Sequence, residues 1–245
     1  MIDAYYVRSS KGVMMTGPAE LRDGVPYLTG GLVPLKDAVR RDAHERGTAV
    51  VVDVRGMQRR NMDQSTHRIR IPGSDIWYMT HVQNEDDVFD GFLSNGERLL
   101  IPYHNVESDE VLVQGHALSD SCVPVLFVEK GEVLSVGGRK GLYGTIGLME
   151  DIGFAAVIVF DTDDSLGIDD WKYIASRHPG TVPYVRKHVP GLEDLGFDDV
   201  IVDHGLEPRR RRIGVDGGVG AAAEADGGGE PVRGDSDDRP PGPGR

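Results

Sequence analysis

Eight residues have types and positions suited to chemistry, and each falls where an apolar run ends. They are Arg8, Asp53, Arg55, His81, His104, Asp161, Lys187 and His204. General acid–base catalysis needs a carboxylate or imidazole on each side of a substrate, and Asp53, Asp161 and His81 are the catalytic candidates. Arg8, Arg55, His104, Lys187 and His204 are the ligand-binding candidates, with the cations able to hold an anion. Glu129, Asp163, His188 and Asp203 fall at similar run ends. The plainer alternative is that any strand end near water carries polar groups. Imidazoles and Asp161 are also metal-ligand types, but no HxH or HExxH spacing occurs, so neither metal nor other cofactor is expected. The stretch GGRKG from Gly137 lacks Walker spacing and reads as a turn.

The elements that must position these residues follow from periodicity. Strand-like runs are DAYYVRS from Asp3, TAVVVDVRG from Thr48, DIWYMTHV from Asp75 and RLLIPYHNV from Arg98. VPVLFVEKG from Val123, AAVIVFDTD from Ala155, TVPYVRK from Thr181 and DDVIVDHG from Asp198 complete the set. Most are continuously apolar, as suits strands covered on both faces. Between them lie helical stripes: Leu32, Leu35, Val39 and Ala43; Val88, Phe89, Phe92 and Leu93; Leu142, Ile146, Met149 and Ile152; Trp171, Ile174 and Ala175. Gly153 and Gly196 stand where a helix-ending glycine belongs. The link from Met57 to Gly73 reads as basic loop, not helix. Strands alternating with helices imply either a closed barrel or a doubly wound open sheet, and the count of about eight favours an α/β fold of the (β/α)8 type over residues 1–207. On such a barrel the strand C-termini carry the active site.

Composition sets the remaining bounds. The chain has 245 residues and a formal net charge of -13, which disfavours a nucleic-acid partner but not a small anionic ligand held by a few arginines. The single cysteine, Cys122, excludes an intramolecular disulfide and reads as a core residue. No apolar run reaches the roughly 20 residues of a membrane span, and the N-terminus lacks a signal-peptide pattern, so the expected partner is a small molecule and the expected location the cytoplasm. Residues 208–245 change character: the arginine run Arg209–Arg212 leads into Gly, Ala, Asp, Glu and Pro. A stretch so poor in apolar side chains is expected to be a disordered tail. The pattern sets no oligomeric state.

The order of segments resembles the histidine-biosynthesis phosphoribosyl isomerases, and more closely their divergent isomerase-related paralogues. VRSSKGVMMTGP from Val7 resembles the family's first strand and hairpin, DLxxGxxVxxxxG. VVVDVRGM from Val51 resembles its second strand, with Asp53 on the family's aspartate. IWYMTHVQNEDDV, LFVEKGEVLSVGG and VIVFDTDDSLGIDDW resemble the third, fifth and sixth strands, Asp161 matching an aspartate the family uses. VPYVRKHVPGLEDLGFDDVIVDHGL resembles the seventh and eighth. The departures fall on functional positions. Arg8 stands for the first-strand catalytic Asp. Thr80-His81 and Lys187-His188 replace the glycine-rich ends that grip two phosphates, where backbone must approach closely. The resemblance thus implies an isomerase-related barrel acting on another small metabolite by acid–base chemistry, or a non-catalytic barrel that binds one.

Overall fold

The computed structural model describes residues 1–41, 47–66 and 68–204. The expected tail, its boundary after residue 207, and Ala43 of the first stripe lie outside the described residues. Eight parallel strands close into a barrel: β1 Ile2–Ser10, β2 Ala49–Asp53, β3 Ile76–Met79, β4 Arg98–Pro102, β5 Cys122–Glu129, β6 Val157–Asp161, β7 Thr181–Val185 and β8 Ile201–Asp203. Each pairs with its sequence neighbour, and β8 returns to β1 through Ile2 opposite Ile201. The expected (β/α)8 barrel is therefore the architecture. Helices α1 Leu35–Arg41, α2 Val54–Arg59, α3 Glu85–Phe92, α4 Asp109–Leu118, α5 Leu142–Ile152 and α6 Ile168–Arg177 follow the first six strands in turn. Among the described residues no helix is long and apolar enough to cross a membrane.

The continuous apolar runs arise because both strand faces are covered. One core fills the barrel, with Tyr6, Val52, Met79, Leu100, Phe127, Phe160 and Tyr184 pointing inward. The other lies between strands and helices and takes the alternate residues, among them Val7, Val51, Tyr78, Ile101, Val128, Val159 and Val185. Inside, Phe160 stacks on Tyr184 at 3.7 Å and meets Phe127 edge-on at 5.0 Å, so aromatic rings plug the interior. Cys122 opens β5, buried as expected, and burial pushes its thiol up to about 12.

Local chemistry sets the helix ends. Asn84 caps α3 in a reciprocal box with Asp87, and Glu85, Asp86 and Asp87 complement the helix dipole. Gly153 ends α5 at φ 112°, a left-handed conformation that suits glycine. The link expected as loop from Met57 begins inside α2, which runs to Arg59; among the described residues from Arg60 to Ser74 there is no helix, and Met62, Ile69 and Ile71 pin the chain. The GGRKG reading is corrected: Gly138–Gly141 is a strand paired with Glu132–Ser135, and the turn is Val136-Gly137.

The β1–α1 connection shapes the mouth of the barrel. Val13–Thr16 folds back on β1, and Ala19–Arg22 then pairs with Val25–Leu28 as a separate hairpin. Asp23 and Gly24 form its tip with φ of 49° and 74°, the double left-handed turn that an Asp-Gly pair supplies. Ala19, Leu21 and Leu28 pack on the interior cluster, so the hairpin covers the C-terminal mouth.

Candidate functional site

Asp53 and Asp161 do not face the barrel interior. Asp53 alternates with Val52 and so points into the outer layer. There its carboxylate accepts from the Gly56 and Asp63 amides at 2.9 and 3.0 Å, and from the Tyr78 and Thr80 hydroxyls at 3.1 Å each. It caps α2 and ties down the following loop. Asp161 likewise accepts from the Ser165 and Leu166 amides at 2.9 and 3.0 Å, fastening the β6–α6 loop. Burial raises both carboxyl pKa values, against the opposing pull of these amides. β2 and β6 are also diametrically opposed in an eight-stranded ring. Each carboxylate fastens the loop after its own strand, so the hydrogen bonds give both of them architectural work.

The inward positions hold a different polar set. Tyr6 on β1, Tyr184 on β7 and Asp203 on β8 meet at the top of the interior, with the tyrosine hydroxyls 2.9 Å apart. Asp203 accepts from Tyr184 at 2.6 Å, from Tyr6 at 3.0 Å and from Arg186 Nε at 3.0 Å. Arg186 also donates to the Ala19 carbonyl at 2.6 Å, which joins the cluster to the covering hairpin. Burial raises the Asp203 pKa, while the tyrosine and arginine donors favour its carboxylate. Burial and the Asp203 charge hold both phenols protonated. Tyr6 and Tyr184 give no polar signal in a sequence, because they occupy apolar strand positions. The cue to this set is alternation with inward Ala4, Val182 and Ile201, each two residues earlier on the same strand.

His81 and His104 follow the adjacent strands β3 and β4, and His104 lies beneath the hairpin. All four ring nitrogens are buried and none has a hydrogen-bond partner within 3.5 Å, although the Gln83 side chain lies near enough to His81 to act on it. His104 packs edge-on against Phe127 at 4.4 Å. A methyl group on Gly24 would sit 2.7 Å from its Nε2, so the hairpin tip closes over the ring. Burial, with a contribution from His81, pushes His104 down to about 4. Burial also lowers His81; Asp87 and Gln83 oppose this and Arg60 adds to it. Both rings are neutral at pH 7.

Arg8, Ser9, Ser10, Arg55, Gln58 and Arg59, from the end of β1 and from α2, line an open concavity of about 410 Å³. Arg55 has a long ion pair with Asp63 at 3.8 Å, whereas Arg8 and Arg59 have no acidic partner among the described residues. Lys187 is elsewhere, ion-paired with Asp164 on the exposed rim. His204 stacks on outward-facing Tyr5 at 4.4 Å. Among the described residues no group of three or more His, Cys, Asp or Glu is arranged to hold a metal ion. Of the residues singled out in the sequence, the fold thus joins Arg8 with Arg55 and His81 with His104. Asp161, Lys187 and His204 make their contacts elsewhere, and Asp53, although next to both pairs, is engaged in capping α2. Arg59 and Gln58 escaped notice because nothing in a basic loop-like stretch signals that a short helix turns them toward Arg8. No protein-family model and no curated protein matches the chain.

Proposed function

We propose that this barrel binds a small anionic metabolite, of the phosphate-monoester kind, at its C-terminal mouth. One observation carries the reading: three arginines from β1 and α2 line one concavity, two of them without a carboxylate partner among the described residues, in a chain of net charge -13. Like charges collect without counterions at a cost, and an anion relieves it through charge-assisted, bidentate hydrogen bonds. The position agrees with the face on which such barrels bind ligands, and with the resemblance to phosphoribosyl isomerases. Here guanidinium side chains would replace that family's glycine grips.

A second reading, acid–base isomerisation of the bound metabolite, draws on Tyr6, Tyr184 and Asp203, which offer a carboxylate and two phenols on the interior face. One experiment addresses both. Titration calorimetry with inorganic phosphate should give measurable binding that Arg8→Ala and Arg59→Ala each weaken roughly tenfold, the worth of about 1.4 kcal/mol per charged contact. Absence of phosphate binding, or indifference to both substitutions, refutes the binding reading. Incubating sugar phosphates with the protein in D2O tests the second: deuterium on carbon that disappears in Asp203→Asn supports it, and its absence from every compound refutes it.

A further inference from the structure

The hidden imidazole pair is the largest unexplained feature at the mouth. Buried polar atoms are nearly always hydrogen-bonded, and each exception costs about 1–3 kcal/mol. His81 and His104, in the segments that follow neighbouring strands, leave four such atoms without a partner within 3.5 Å, Gln83 being the polar side chain that acts on His81 and the hairpin tip covering His104. They adjoin the arginine concavity through two elements. Helix α2 carries Arg55, Gln58 and Arg59 into the concavity, and its Met57 sulfur accepts from Asn105, the residue after His104, at 3.4 Å. The hairpin closes on His104 through Gly24 and accepts a hydrogen bond from Gln58 at its Pro26 carbonyl, 2.8 Å away. Gln58 therefore touches both the anion pocket and the cover.

Resting on the anion-binding reading above, we infer that His81 and His104 form the head-group subsite of the same ligand, and that the Ala19–Leu28 hairpin is its cover. The chemistry of the pair selects the class of head group. A neutral imidazole has one N–H donor and one acceptor nitrogen, so two rings together offer two donors and two acceptors. Hydroxyl groups, each both donor and acceptor, match that set. A second phosphate, which only accepts at its charged oxygens, leaves half of it unmet. The ligand class is a monophosphorylated polyol or sugar. Its phosphate lies on Arg8, Arg55 and Arg59, and its hydroxyls lie under the hairpin. Strands are about 4.8 Å apart, so the step from β2 to β3 and β4 fits a metabolite of a few carbons.

Calorimetry at pH 7.5 with inorganic phosphate, glycerol 3-phosphate and ribose 5-phosphate separates the two layers of the argument. Phosphate alone reports the arginine pocket. The affinity advantage of the hydroxylated esters over phosphate reports the imidazoles. The expected advantage is at least roughly tenfold, as one or two new hydrogen bonds supply. His81→Phe and His104→Leu should erase it while leaving phosphate affinity unchanged, and His104→Gln, which retains a donor and an acceptor, should restore most of it. Three probes binding equally to the unmodified protein overturn the inference with the pocket intact. So does an advantage that survives both apolar substitutions, or one that His104→Gln fails to restore. Failure of phosphate itself removes the pocket, and the subsite with it.

Discussion

Acid should destabilise this fold through His104, by an amount that follows from its environment. The free imidazole has an ordinary value of 6.5, and burial under the hairpin lowers it to about 4. The unfolded chain therefore binds a proton between those values that the folded chain refuses. Stability is complete above pH 6.5, declines as pH falls below it, and levels off near pH 4. At roughly 1.4 kcal/mol per pH unit the full loss is about 3 kcal/mol, and about 2.5 kcal/mol is reached by pH 4.5. His81, lowered in the same direction, adds to it. Asp53, Asp161 and Asp203 work oppositely, because a carboxyl with a raised folded value takes up its proton earlier when folded, so that falling pH favours the native state. A comparison with His104→Leu removes that shared background. Equilibrium urea unfolding at pH 7.5, 6.5, 5.5 and 4.5 gives the free energies. The difference between protein and variant should shift by about 2.5 kcal/mol toward the variant across the range. At pH 7.5 the variant should be at least as stable, having exchanged two unpaired buried nitrogens for apolar atoms. Parallel pH profiles would show that the ring is hydrated or paired in solution, and would refute the reasoning.

Two further outcomes follow from named contacts. Asp53→Ala strands four donors and uncaps α2; it should cost about 3 kcal/mol in urea unfolding, and any phosphate affinity it loses should track the folded fraction. Gly24→Ala imposes a left-handed conformation on alanine at φ 74° and presses a methyl on His104. It should cost about 2 kcal/mol and raise hydrogen exchange across Ala19–Leu28 selectively; a silent substitution would mean that the hairpin does not seal the imidazoles.

The fold was legible in the sequence because both of its periodicities are local. Continuous β-branched runs such as AVVVD and VIVFD mark strands buried on two faces, and the stripe Leu142, Ile146, Met149 marks a helix. The positions of Arg8, Arg55, His81 and His104 at strand ends also placed them at the C-terminal end of the barrel strands. Composition could not tell which side of a strand each polar residue takes. Alternation decides that, and a one-residue offset turned Asp53 and Asp161 outward into capping roles while Tyr6, Tyr184 and Asp203 turned inward. The Asp-Gly tip of the hairpin is a local turn, whereas its seat over His104 depends on strands brought together by ring closure. The arginine concavity depends in the same way on a long-range pairing, because β1 and β2 align Val7 with Asp53 across the intervening connection and so bring Arg8 to α2. Local patterning fixes elements and the end of the barrel they serve. Only closure of the ring fixes which side chains share a site, because that is a property of neighbours distant in sequence.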